Sequence, residues 1–192
     1  GFDQVFAEYK KPYSVAVFGA GPIGLLLMKL ARKVYGIETI IAVEPALLRR
    51  HKAIEIGANA AINPSSENVV DAILNLTSGK GVDLVFTACP ILQTHKDAFK
   101  VIAPNGAINL FGGIGKTEQP IEILSNYIHY KQISVTGSHG STPSQHRKAL
   151  SLIQEGIITV DDIISHEISL NNIIEGFNLA QSGEASKVLI VN

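Results

Sequence analysis

The chain has 192 residues, 46% of them hydrophobic and 17% charged, with a formal net charge of -1. That balance excludes a disordered or fibrous chain and leaves no broad basic footprint for nucleic acid or an anionic membrane. A single cysteine, Cys89, excludes an internal disulfide framework and any zinc site built from several cysteines of these residues.

The longest apolar stretch, residues 15–28, is broken by Gly and Pro and is shorter than the ~20 residues that cross a bilayer. Gly1-Phe2-Asp3-Gln4 carries no basic or apolar leader pattern. The expectation is a soluble, cytoplasmic protein cut from something longer, without membrane or nucleic-acid partners.

From residue 14 to 137 short β-branched runs alternate with segments of helical spacing. The runs are Ser14–Phe18, Thr39–Val43, a weak Ala60–Ile62, and residues 83–87, 107–111 and 133–137. Most are continuously apolar, which predicts parallel strands covered on both faces. Helices are predicted over 24–35, with Leu26, Leu27, Leu30 and Val34 on one stripe, and over 47–56, 67–76 and 94–102. Such alternation specifies an α/β fold, a doubly wound six-stranded parallel sheet with helices on both faces. The rhythm breaks at 140–144. Thr142 or Ser144 is expected to cap a helix reaching about residue 155, followed by a helix over 169–182 ended by Gly183 and a strand over 187–191. This tail does not read as a continuation of the strand–helix–strand series.

The first strand runs into Gly19-Ala20-Gly21-Pro22-Ile23-Gly24, a G-x-G-x-x-G turn opening a helix. Gly19 permits the tight turn, Gly21 admits a pyrophosphate to the backbone, and Gly24 lets helix and strand pack closely. The helix N-terminus offers unpaired N–H groups and the positive end of its dipole. Glu44, twenty residues after Gly24, closes the second strand, where a carboxylate accepts hydrogen bonds from an adenosine ribose diol and repels a 2′-phosphate. NAD is therefore expected over NADP. Arg49, or its neighbour Arg50, is placed to lie over adenine or ribose. Cys89 is expected to pack rather than react, and His95 and His146 to lie on the surface.

Gly19–Gly24, Glu44-Pro45 with Arg49, and the segments 52–58, 82–85, 106–113, 133–138 and 183–190 together resemble the cofactor half of the zinc-dependent medium-chain alcohol dehydrogenases. Residues 126–131 and 136–140 are similar to the sorbitol, polyol and threonine dehydrogenase branch. The resemblance runs through nearly the whole chain in order. It implies cofactor contacts at Ala88 and Cys89 after the fourth strand, at Leu110, Phe111 and Gly112 toward the nicotinamide carboxamide, at Gly137, Ser138 and His139, and from Lys187 to the phosphates. Thr87-Ala88-Cys89-Pro90 departs from the family's acidic-x-Thr/Ser-Gly run.

The resemblance also implies a zinc ion whose Cys, His and Glu ligands lie outside this chain, in a catalytic domain preceding it. Residues 1–12 then read as a linker from that domain, 13–137 as the NAD-binding domain, and 138–192 as a return segment packing toward the catalytic domain. The implied reaction is oxidation of a secondary alcohol of a polyol or sugar alcohol to a ketone, with hydride transferred to NAD. The fragment alone is then expected to be inactive. The apolar edge strand 133–137 is the expected seam of a homodimer or homotetramer. Three other readings are a zinc-free NAD(P)H reductase of the same superfamily, a non-catalytic dinucleotide-binding module, and a nucleoside-binding methyltransferase. Glu44 disfavours the first. The tail, read as packing on another domain, disfavours the second, and the six-strand order disfavours the third.

Overall fold

The computed structural model describes residues 1–2, 12–115, 120–183 and 185–192. Most of the expected linker and Glu184 lie outside the described residues. β1 (Ser14–Phe18), β2 (Thr39–Val43), β3 (Ala60–Ile62), β4 (Val82–Thr87), β5 (Ile102–Leu110) and β6 (Ser134–Gly137) form one parallel sheet in the order β3-β2-β1-β4-β5-β6. This is the doubly wound Rossmann order, in which the winding reverses between β1 and β4 and opens a crevice at their carboxyl ends.

Every residue of β1 is buried, and its side chains divide between two cores. Val15 and Val17 join the core under α1 (Pro22–Lys33), whereas Ala16 and Phe18 join the core under α3 (Val69–Leu76) and α4 (Leu92–Val101). A strand flanked by helices on both faces has no polar alternation, which is why the run reads as continuously apolar. α2 (Leu47–Glu55) follows β2, and α5 (Ser125–Lys131), a helix the sequence reading did not register, precedes β6.

Three details qualify the sequence reading. β5 begins at Ile102 rather than 107, because the exposed Pro104 and Asn105 form an irregularity inside the strand, with Asn105 at φ 59°. The stripe Leu26, Leu27, Leu30 and Val34 faces a groove between α1 and α6 (Pro143–Gln154). Leu25, Met28 and Ala31 are the fully covered side chains of α1 instead. His95 is buried, since the inner face of α4 packs on the sheet and carries the imidazole with it.

The tail is itself a strand–helix–strand unit. β7 (His166–Ser169) and β8 (Val188–Val191) pair in parallel as a separate two-stranded sheet, crossed by α7 (Ile173–Ser182). Gly176 lies so near this sheet that a Cβ there would stand 2.9 Å from Ile190 Cδ1. Thr142, one of the two expected caps, caps α6 through a reciprocal capping box with Gln145. The tail is fastened to α1 by the buried Lys29, whose ammonium donates to the Thr159 carbonyl at 2.7 Å and pairs with Asp162.

Candidate nucleotide-binding crevice

The glycine turn lies at the carboxyl end of β1. Gly19 has φ 101°, a conformation that side-chain-bearing residues rarely adopt, and its amide donates to the Val43 carbonyl at 2.8 Å. A Cβ on Gly24 would sit 1.9 Å from the Gly19 carbonyl oxygen, so only glycine lets α1 start this close to β1. Gly21 is the opposite case: a Cβ there would meet nothing within 4 Å. The backbone at Gly21 is thus bare, directly before α1, with Pro22 in the first turn and no side chain capping the helix. The first-turn N–H groups and the helix dipole face an open space fit for an anion.

Glu44 is buried immediately after β2 and reaches back to this turn. Its Oε2 accepts from the Ala20 amide at 2.8 Å and its Oε1 from the Ala46 amide at 3.0 Å. Arg50 braces the same segment by donating to the Glu44 carbonyl at 2.9 Å. Arg49 turns away to the tail, where it donates to the Ala185 carbonyl at 3.3 Å; its Nε is buried without a partner.

Across the crevice the ends of β4 and β5 close in. The Ala88 amide donates to the Phe18 carbonyl at 2.7 Å, and the Gly112 amide to the Thr87 carbonyl. A Cβ on Gly19 would touch the Ala88 carbonyl at 3.0 Å and Cys89 Cβ at 3.1 Å; one on Gly112 would meet the Cys89 backbone at 2.8 Å. Gly19, Ala88, Cys89 and Gly112 therefore form one tight seam. The Cys89 thiol lies 3.7 Å from Thr94 Oγ1, and burial pushes its pKa up, as suits a packing thiol without a cationic partner.

Ile23, Phe111, Ser138 and His139 line a cavity of about 800 Å³ between α1 and α6. Leu110 and Gly137 pair across β5 and β6, and the Ser138 amide donates to the Leu110 carbonyl at 3.2 Å. Lys187 stands exposed just before β8, its carbonyl accepting from the Ser165 amide.

Sequence reasoning missed Asn109. This fully buried amide donates to Thr136 Oγ1 at 2.9 Å and Ser138 Oγ at 3.0 Å, locking the carboxyl ends of β5 and β6 together. A polar residue in the apolar run Ala107-Ile-Asn-Leu was the available signal. Among the described residues no cluster of three or more His, Cys, Asp or Glu could hold a metal ion, and no helix is long and apolar enough to span a membrane.

A six-stranded Rossmann sheet with a bare glycine turn at its switch point defines a dinucleotide-fold protein. The family model for the zinc-binding dehydrogenases matches residues 22–155, and the chain belongs to that family. It is 33% identical to an L-threonine 3-dehydrogenase of Pyrococcus furiosus over 98% of this chain and 54% of that protein. It is 31% identical to a sorbitol dehydrogenase of Halalkalibacterium halodurans over 92% and 51%. Among solved structures, a Sinorhizobium meliloti protein classed with the zinc-binding dehydrogenases and crystallised with NADP superposes with a TM-score of 0.89 at 30% identity, covering 100% of this chain and 55% of that one. The chain spans about half the length of the curated relatives it matches.

Proposed function

We propose that this chain is the NAD-binding portion of a zinc-dependent dehydrogenase that oxidises a secondary alcohol of a polyol or sugar alcohol. The observation that carries the reading is the bare Gly21 backbone before α1, in a turn whose Gly19 rests on Ala88 and Cys89 and whose Ala20 amide is held by the Glu44 carboxylate. When bound, the dinucleotide supplies the hydride acceptor; the residues here bind and orient it.

In this reading the amides after Gly21 receive the pyrophosphate, and Glu44 meets the adenosine ribose through lone pairs left over from Ala20 and Ala46. The backbone from Leu110 to Gly112 and from Gly137 to His139 receives the nicotinamide end. Lys187 serves the phosphates, while Arg49 reaches the adenosine only by leaving the Ala185 carbonyl. A carboxylate at Glu44 repels a 2′-phosphate, which supports NAD as the preferred partner, although one structural relative holds NADP. Among the described residues no set fits a zinc site, and in this reading the metal's ligands lie outside this chain. The names of the relatives, threonine 3-dehydrogenase and sorbitol dehydrogenase, support small hydroxylated substrates.

We further place residues 13–137 as the cofactor domain, 138–192 as a return segment, and β6 as the seam of a dimer or tetramer. Fluorescence titration with NADH and NADPH tests the binding reading, NADH being the tighter ligand if it holds. Dehydrogenation assays of the full-length protein with polyols and with threonine then test the substrate class.

A further inference from the structure

Asn109 lies fully buried near the carboxyl end of β5, inside the apolar run Ala107-Ile108-Asn109-Leu110. By strand alternation it shares the face of Ala107, in the core under α1, while Ile108 belongs to the core on the other side. Its register partner on β6 is Thr136. The Asn109 Nδ2 donates to Thr136 Oγ1 at 2.9 Å and to Ser138 Oγ at 3.0 Å, which uses both of its hydrogens. The Thr136 hydroxyl donates in turn to the Ile108 carbonyl at 3.4 Å, leaving its oxygen to accept.

The other half of the amide is unmatched: Asn109 Oδ1 is buried without a hydrogen-bond partner. A buried acceptor with no donor offsets much of what two neutral hydrogen bonds contribute. The amide therefore adds little net stability, and a leucine of similar volume would fill its place. What the amide alone supplies is direction. Thr136 needs no such hold, because it sits within β6 and that strand pairs with β5 as far as Gly137. Ser138 is the first residue past the strand. It is tied to β5 by its amide, which donates to the Leu110 carbonyl, and by its hydroxyl through Asn109. Ser138 and His139 then line the cavity with Phe111 and Ile23.

We propose that Asn109 is a positioning residue for the nicotinamide end of the dinucleotide. Its amide holds Ser138 against β5 and so sets the spacing between segments 110–112 and 137–139, which receive that end. The inference rests on the dinucleotide reading above and adds to it a residue that the ligand itself does not touch.

The test is calorimetric titration with NADH and with ADP-ribose, which keeps the adenosine and pyrophosphate but lacks the nicotinamide ring. Asn109→Leu should raise the NADH dissociation constant about fivefold, the worth of the one tie to Ser138. ADP-ribose affinity should stay level. Thr136→Val removes the other acceptor and leaves Ser138 held, so NADH affinity should stay near the parent's. Ser138→Ala cuts the same tie from its far side and should match Asn109→Leu, and the double variant should lose no more than either alone. Equal losses for NADH and ADP-ribose in Asn109→Leu overturn the role of Asn109 while leaving nucleotide binding intact. So do an unchanged NADH affinity, a Thr136→Val loss as large as that of Asn109→Leu, or additive losses in the double variant. If neither ligand binds the unaltered protein, the dinucleotide reading falls and this inference with it. Should Asn109→Leu fail to fold by circular dichroism, Asn109→Val takes its place with the same expectation, and Ser138→Ala against Thr136→Val decides the matter if both fail.

Discussion

The Glu44 carboxylate accepts a hydrogen bond from the Ala20 amide at 2.8 Å, joining the end of β2 to the middle of the glycine turn. The acid is therefore a clasp as well as the proposed ribose acceptor, and the two roles separate under substitution. Glu44→Ala should weaken NAD binding and improve NADP relative to it, read by calorimetry with both cofactors. Removing the acceptor also leaves the Ala20 and Ala46 amides unsatisfied, so denaturant unfolding should show a loss of about 1–3 kcal/mol. An unchanged NAD/NADP ratio would remove Glu44 from cofactor choice.

Two glycines of the same turn should respond in opposite ways to one added methyl group. Gly24→Ala places a carbon 1.9 Å from the Gly19 carbonyl oxygen and must push α1 off the sheet, with a stability loss of about 3 kcal/mol or more. Gly21→Ala meets nothing within 4 Å, so its melting temperature should stay near the parent's. The new methyl occupies the space over the backbone that a pyrophosphate needs, and NADH affinity should fall about tenfold or more. Thermal melts alongside NADH titrations distinguish the two patterns.

Lys29 ties the tail to α1. The ammonium is covered, whereas the Asp162 side chain is 36% exposed, so the two partners should differ in what their loss does. Lys29→Met removes the donor to the Thr159 carbonyl and should cost about 1–3 kcal/mol. Asp162→Asn keeps a hydrogen-bond acceptor at a partly solvated position and should cost less. Urea unfolding gives the stabilities. Limited proteolysis should show residues 158–192 cut sooner in Lys29→Met.

The Cys89 thiol is held above its ordinary range, chiefly by burial. At any pH below that range less of it is thiolate than for an exposed cysteine, so its reaction with a disulfide reagent should be several-fold slower than that of a free thiol. The rate should climb steadily as pH rises through the alkaline range. A fast reaction at neutral pH would mean an electropositive partner and a reactive role.

What the sequence disclosed depended on how far apart the interacting residues lie. Strands such as Ser14–Phe18 declare themselves, because a segment buried on both faces shows an unbroken apolar run, and the glycine turn is a local motif with local causes. β7 did not declare itself: His166–Ser169 is a short strand without fully buried residues and pairs with β8 some twenty residues on. The bond from Arg49 to Ala185 bridges 136 positions and leaves no local trace. His95 looked like a surface residue because polar side chains usually are; its helix turned that face inward. Asn109 was hidden by the opposite habit, since one polar residue in an apolar strand is easily passed over until Thr136 and Ser138 appear beside it.

The fastening of the tail bears on what the protein needs from covalent continuity. Residues 140–144 are exposed throughout. Beyond them, Lys29 grips Thr159 and Asp162, Arg49 reaches Ala185, and Ile158, Ile163 and Ala185 are buried. A chain nicked in that exposed turn would keep all these attachments. Its two pieces, expressed separately, should find each other and rebuild the native assembly, a split protein whose halves rejoin by their own side chains.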